Sequence, residues 1–343
     1  MESTRLLIEG IGGIGGLVAY ELLKAGYSAD LITNNSNITN SINNQGLRVK
    51  TKKRIETVPT HAYTHLGDLP SEYQYSMIFL IMKADGVNEA AKQSLPKLTP
   101  DGFLCTFQNG VVEDSLVKIV PSEKIVPVTV GFASTMIEPG LYERTTPGKF
   151  HIGELNGKQT ARIEELSKVL LHVEQVIMTE NILGVKWSKL AINCIINTFG
   201  AITGQTLGQL LKNKKTRTLF LAVYREIVEV ADAKDITLEP IAANPYLLYL
   251  PANSGTFKRF TKDLIIRFVG RKYGNQKSSS LQSIQRGRKS EVDYLNGYVV
   301  SQATDLGMDV PVNKALTELL HRIDNGEINY APNNLQPIID QYL

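Results

Sequence analysis

RLLIEGIGGIGGLVAYELLKAGY, residues 5–27, carries an apolar run (Leu6, Leu7, Ile8) into Gly10-Ile11-Gly12-Gly13-Ile14-Gly15. A helical pattern follows, with Leu17, Val18, Tyr20, Leu22 and Leu23 closed by Gly26, and then a second apolar strand from Ala29 to Thr33. This is the strand, glycine turn and helix of a dinucleotide-binding βαβ unit. Gly10 permits the tight turn, Gly12 lets backbone approach a pyrophosphate, and Gly15 lets helix pack on strand. The N-terminus of that helix then offers N–H groups and partial positive charge to the phosphates. A lone G-x-G-x-x-G is weak, but in this strand–turn–helix setting at the start of the chain it predicts a bound dinucleotide.

The choice of nucleotide rests on the end of the second strand, where NAD enzymes place an acid and NADP enzymes often an arginine. Here that corner reads Thr33-Asn34-Asn35-Ser36-Asn37, with neither. Amides and hydroxyls can hydrogen-bond a 2′-phosphate or a 2′-hydroxyl, so the corner leaves NADP and NAD both open. Lys50, Lys52, Lys53 and Arg54 could lend charge from the next strand, but a solvated edge strand is the expected reading.

Beyond this unit, apolar runs alternate with helical stretches. Tyr75–Met82, Phe103–Phe107 and Lys124–Gly131 read as strands, the first ending at Lys83 and the second at Gln108-Asn109-Gly110. Ligands of open α/β sheets bind beyond the carboxyl ends of the strands, which makes Lys83 and Asn109 candidates to line the site. Turns at Pro139-Gly140 and Pro147-Gly148 predict hairpins and an antiparallel edge through Phe150–Gly153. From about Glu180 the pattern turns helical. The expected fold is therefore α/β: a Rossmann-type doubly wound domain over residues 1–180, then an all-helical domain over 181–343.

That second domain opens with GVKWSKLAINCIINTFGAIT, in which Lys189, Asn193 and Asn197 fall four residues apart. Such spacing stacks side chains on one helix face. Trp187, Leu190, Ile192, Ile195, Ile196 and Phe199 make the rest apolar, as in a buried helix. A lysine and two amides there must face something polar, either a bound substrate or a neighbouring loop.

Composition sets outer limits. The chain has 343 residues, net charge +3 and 43% hydrophobic content, which suits a soluble globular protein of two domains. Cys105 and Cys194 sit in apolar surroundings, arguing against a disulfide framework. The five histidines show no metal-ligand spacing and read as structural; no metal is expected. No run reaches membrane-span length, and the first strand starts too early to follow a signal peptide, so a cytoplasmic protein is expected.

Together these segments resemble the ketopantoate reductase family (2-dehydropantoate 2-reductases). The resemblance runs from the glycine turn through IMKADGV (Lys83), FQNGV (Asn109) and KWSKLAINCIINTFGAIT to SSSLQSIQRGRKSEVDYLNGYVV and MDVPVNKALTELL. It implies that Lys189 is the general acid and that Asn193 and Asn197 contact the substrate. It further implies that Ser279, opening S-x-L-Q, binds the substrate carboxylate, though a slip by one to Ser278 or Ser280 stays open. Glu291 would hydrogen-bond the substrate hydroxyl and the lysine, while Lys83 and Asn109 line the nicotinamide side. Local sequence alone also allows Glu291 to be an exposed helix residue.

The implied reaction is NAD(P)H-dependent reduction of a 2-keto acid, with ketopantoate to (R)-pantoate the best single guess and NADP the first cofactor, NAD second. A D-2-hydroxyacid dehydrogenase for branched or aromatic keto acids is the alternative, and a non-catalytic dinucleotide sensor a weaker one. Expected partners are a small 2-keto acid, with a second copy of the chain as a further candidate, and neither nucleic acid nor membrane. Three departures from the family pattern stand out: Asn34 where NADP members carry arginine, Asn197-Thr198 in place of asparagine–proline, and a long basic stretch over 251–277. That stretch, with Lys258, Arg259, Lys262, Arg267, Arg271, Lys272 and Lys277 against Asp263, reads as an amphipathic helix. Its apolar face is expected to pack inward, with a lid or dimer contact as the alternative.

Overall fold

The computed structural model describes residues 5–241, 243–272, 274 and 278–343. It divides into two compact units: the chain up to Gln108 with Val112–Ile182, and Asn109–Val111 with Leu183–Leu343.

In the first unit the strands are β1 (Arg5–Glu9), β2 (Ser28–Ile32), β3 (Leu47–Lys50), β4 (Ile55–Val58), β5 (Ala62–Tyr63) and β6 (Tyr75–Leu80). They continue with β7 (Leu98–Thr106), β8 (Ile125–Val130), β9 (Ala133–Glu138), β10 (Leu141–Thr146), β11 (Lys149–Ile152) and β12 (Gln175–Met178). The helices are α1 (Gly13–Lys24), α2 (Ser36–Gln45), α3 (Val87–Ser94), α4 (Glu113–Leu116) and α5 (Ala161–Leu170). One sheet runs β12-β11-β8-β7-β6-β1-β2-β5. From β5 to β8 its pairings are parallel, the order of a doubly wound dinucleotide fold with its switch point between β1 and β6. β11 pairs antiparallel to β8, as the turns around residues 139–148 predict. The central strands are buried on both faces, which is why β1, β6 and β8 read as largely apolar runs rather than alternating ones.

A second sheet, β4-β3-β10-β9, is the feature the sequence reading lacks. The Pro139-Gly140 turn joins β9 to β10, and β10 pairs parallel with β3. This sheet packs on α1, where Tyr142 Oη donates to the Ile11 carbonyl at 2.8 Å. A Cβ at Gly16 would lie 2.2 Å from the Tyr142 ring. Two of the four cations of the β3–β4 hairpin are paired within this sheet, while Lys52 and Lys53 are exposed at its turn. Lys50 pairs with Glu143 at 3.6 Å and Arg54 with Glu56 at 3.3 Å.

Among its described residues the second unit is helical: α6 (Ile182–Thr203), α7 (Leu207–Leu210), α8 (Lys214–Ala233), α9 (Thr256–Lys272), α10 (Ser279–Gln285), α11 (Asn296–Asp305), α12 (Pro311–Asp324) and α13 (Gln336–Tyr342). α6 is its centre, with Trp187, Leu190, Ala191, Cys194, Ile195, Phe199 and Ile202 all buried in one cluster. It runs unbroken past Thr198, whose hydroxyl donates to Asn296 Oδ1 at 2.5 Å. The α9 face differs from expectation. Only Ile266 and Gly270 are buried, whereas Phe257, Phe260, Leu264 and Phe268 are exposed. The reason is that Asp263 turns inward to Arg217, which fixes the polar side of the helix against α8. Lys277 and the side chain of Lys272 lie outside the described residues. No described helix is long and apolar enough to cross a membrane.

Candidate active site

The glycine turn is built for close approach. Gly10 has φ +98°, and a Cβ there would lie 2.5 Å from Met82 N. A Cβ at Gly15 would lie 1.9 Å from the Gly10 carbonyl oxygen, so only glycine lets α1 begin so close to β1. Gly12, the N-cap of α1, faces open space, with nothing within 4 Å of a Cβ. The cap makes no side-chain hydrogen bond and the first turn of α1, which includes Gly13 and Ile14, carries no acid. Ile11 is buried and holds Tyr142 through its carbonyl. An uncapped helix start beside a backbone cradle that no Cβ fills fits a pyrophosphate.

At the end of β2, Asn35 is spent on capping α2, its Oδ1 accepting from Asn37 N at 3.0 Å. Asn34 is exposed and free of that duty. Lys83 is partly buried and follows β6, at the N-cap of a short 3-10 turn. Gln108, after β7, donates from Nε2 to the Leu80 and Met82 carbonyls at 2.9 and 3.0 Å. Its buried Oε1 has no partner among the described residues, a polar atom left at the carboxyl edge of the sheet.

In the second unit, α6 carries the polar stripe, and Lys186 extends it by one turn. At about 100° per residue, Lys186, Lys189, Asn193, Asn197 and Gly200 share one face. Lys186 is 2% exposed and reaches the Gly110 carbonyl at 3.5 Å. Asn193 Nδ2 donates to Asn109 Oδ1 at 3.4 Å, so the Asn109-Gly110 turn sits over the stripe. Gly110 has φ +79°, and a Cβ there would fall 2.3 Å from the Tyr294 carbonyl oxygen. Asn197 is buried.

Burial lowers the Lys189 ammonium to about 8, with the Lys186 charge adding to the effect and Glu291 opposing it. Glu291 thus lies near enough for its charge to act on the lysine despite their distance in sequence. Glu291 is partly buried and is the N-cap of a 3-10 turn over Val292–Tyr294, not a residue on an exposed helix. The three serines of the run differ in burial. Ser279 is exposed, while Ser278 is buried and caps α10, its Oγ accepting from Leu281 N at 3.0 Å. Ser278 also closes on the far end of the stripe, 2.7 Å from where a Gly200 Cβ would lie. Ser280 is buried as well. The SSS run gave no sign of which serine would cap the helix.

Lys186 was legible only as part of KWSK, since a four-residue step does not select it. Behind α6 lies a buried relay equally hidden from sequence. Asn296 Nδ2 donates to Asn313 Oδ1 at 2.9 Å, and Asn313 Nδ2 donates to Glu226 Oε2 at 2.7 Å. Glu226 also accepts from the Val312 and Asn313 N–H groups at 3.0 and 2.9 Å. Among the described residues no cluster of side chains could hold a metal ion.

A doubly wound dinucleotide fold joined to a helical unit with a lysine–amide stripe defines a class of two-domain oxidoreductases. Residues 6–157 match the family model "Ketopantoate reductase PanE/ApbA", and residues 181–324 match "Ketopantoate reductase PanE/ApbA C terminal". The chain belongs to the ketopantoate reductase family, whose members are NAD(P)-dependent oxidoreductases acting on CH–OH. A 2-dehydropantoate 2-reductase of Pyrococcus horikoshii is 25% identical over 317 residues, 92% of this chain and 96% of that protein. In fold, the chain matches a D-mandelate dehydrogenase with NADH and anilino(oxo)acetate at a TM-score of 0.81, with 19% identity over 94% of this chain and 98% of that one. It matches a PanE/ApbA family ketopantoate reductase from Ralstonia eutropha at 0.78, with 24% identity over 94% and 99% of the two chains.

Proposed function

We propose that this chain reduces a 2-keto acid to the 2-hydroxy acid, with ketopantoate to (R)-pantoate the first substrate and NADPH the first cofactor. The observation that carries the reading is Lys189, an ammonium brought to about 8 on a buried helix face lined by amides. A group titrating near neutrality is matched to giving up a proton there. The glycine turn of Gly10, Gly12 and Gly15 would hold the pyrophosphate on the N-terminus of α1, and Asn34 would meet the adenosine ribose. When bound, the nicotinamide supplies the hydride to the carbonyl carbon.

The chain's own residues supply the rest. Lys189 hydrogen-bonds the carbonyl oxygen, stabilises the charge that develops on it, and transfers its proton to the resulting alkoxide. The lysine is left neutral and regains a proton from solvent. Glu291 orients the ammonium and accepts from the new hydroxyl. Asn193 and Asn197 donate to substrate oxygens, Asn109 fixes the Asn193 amide, and Lys83 lines the nicotinamide side. The serines at the start of α10 take the carboxylate, with the buried Ser278 and Ser280 better placed than Ser279. A D-2-hydroxyacid dehydrogenase for branched or aromatic keto acids is the second reading, favoured by the Asn34 corner, which lacks the arginine of NADP-using members.

The test is oxidation of NADPH and NADH, separately, by the purified protein with ketopantoate and a panel of bulkier 2-keto acids. Fast turnover of ketopantoate with NADPH is the expected result. Preference for NADH and a bulkier acid moves the chain to the second reading, and binding without turnover of any acid refutes both.

A further inference from the structure

α9 presents an apolar stripe outward that nothing in the second unit covers. Phe257, Phe260, Leu264 and Phe268 are 78%, 60%, 44% and 67% exposed. At about 100° per residue they fall within about 80° of one another, on the side opposite the buried Ile266. The stripe runs about 16 Å along the axis at 1.5 Å per residue. Four large side chains standing together on one face differ from scattered exposed apolar residues, which are ordinary.

Cations edge the stripe. Arg267 lies beside it, Arg271 continues its line at the C-terminal end, and Lys258 stands about 80° beyond its other edge, all three exposed. Asp263, the helix's own acid, is turned away and held by the Arg217 guanidinium through bonds of 2.6 and 3.1 Å. The helix is braced for this posture. Gly270 packs on Leu211, and Lys262 Nζ donates to the Tyr246 and Leu247 carbonyls at 3.2 and 2.7 Å.

We propose that the outer face of α9 docks on an anionic lipid surface, the four apolar side chains entering the headgroup–acyl boundary while Lys258, Arg267 and Arg271 meet the anionic headgroups. Charge selects this occupant. Two copies joined through this face would bring the cations of one α9 to those of the other, with no acid on the outer face of either helix to offset them. A nucleic acid would meet phenylalanines where its phosphates need cations. A convex apolar ridge with basic edges is the form of an interfacial helix, which needs no matching groove in its partner. The surface is independent of the catalytic reading, since none of its residues belongs to the proposed site.

The full-length protein is mixed with vesicles of phosphatidylcholine alone and of phosphatidylcholine with 30% phosphatidylserine, and bound protein is measured by sedimentation. Phe260→Trp reports insertion by a blue shift of the added emission. The expected result is binding at least tenfold tighter to the anionic vesicles, with that shift. Phe257→Ser/Phe260→Ser and Arg267→Glu/Arg271→Glu should each cut the affinity tenfold or more, the second in keeping with about fivefold per cation lost at such a surface. These side chains are exposed, so the unfolding midpoint should not move, and an unmoved midpoint with lost binding supports the proposal. Equal binding to both vesicles, no binding, or unchanged binding of both variants overturns it. So does a dimer in light scattering that Phe260→Glu makes monomeric, which would assign the face to a second copy.

Discussion

Replacing Lys186 by methionine removes a buried charge one helical turn from Lys189 and keeps the length of the side chain. Lys189 stands at about 8 against an ordinary 10.5, and the causes rank as burial, then Lys186, with Glu291 opposing. Groups three residues apart on a helix have Cβ atoms about 5–6 Å apart. Two unit charges about 6 Å apart repel by roughly 3 kcal/mol at an effective dielectric near 20, about 2 pKa units at about 1.4 kcal/mol per unit. The share of Lys186 must fit within the whole displacement and below that of burial, so Lys186→Met should raise Lys189 by about one unit. Reduction uses the protonated lysine, so its rate should fall above pH 8 in the natural protein and only above about 9 in the variant. Oxidation of the hydroxy acid uses the neutral lysine and should shift in the opposite sense. The stability sign is also fixed. Lys189 titrates lower folded than unfolded, so the unfolded chain binds more protons between about 8 and 10.5, and stability should rise with pH across that window. The variant should narrow the window. The assays are the pH profile of kcat/KM and, independent of turnover, the pH dependence of Lys189 acetylation read by mass spectrometry. Lys186→Arg should restore the natural profile. No shift in Lys186→Met, or the same shift in both variants, would refute the reasoning.

Other outcomes follow from the packing. Gly15→Ala sets a Cβ 1.9 Å from the Gly10 carbonyl oxygen, backbone that cannot swing aside, and should abolish dinucleotide binding in a fluorescence titration. Retained binding would show that the turn is not the cradle. Gly16→Ala drives a Cβ into the Tyr142 ring and should cost about 1–3 kcal/mol in urea unfolding; an unchanged midpoint would mean the second sheet can move off α1. Asn313→Ala takes from the buried Glu226 its side-chain donor while leaving two N–H donors, and should cost about 2–3 kcal/mol. A loss under about 1 kcal/mol would make the relay from Glu226 to Thr198 dispensable.

Much of the first unit could be read from local pattern because its signals are local. Strands buried on both faces spell apolar runs, and the glycine turn needs its residues in consecutive order. The second sheet was not legible because its core pairing joins β3 to β10, about ninety residues apart, and nothing in LRVK or LYER says which distant strand it will meet. The polar stripe was legible from the four-residue step, but Lys186 stands three residues ahead of Lys189 and dropped out of that count. Among Ser278, Ser279 and Ser280 the composition is uniform. Which of them is buried turns on which hydroxyl caps α10, a backbone matter. The α9 stripe was visible as an amphipathic pattern, but which face turns inward depends on Arg217, a partner on another helix.

The most direct test of the account is the rate of hydride transfer in a single turnover with saturating keto acid, measured for Lys189→Ala beside the cofactor Kd. The account predicts a rate lowered by about 10²- to 10⁴-fold, the range for loss of a general acid, with the cofactor Kd unchanged within about twofold. A comparable loss in cofactor affinity, or a rate left intact, would contradict it and take the proton from another group.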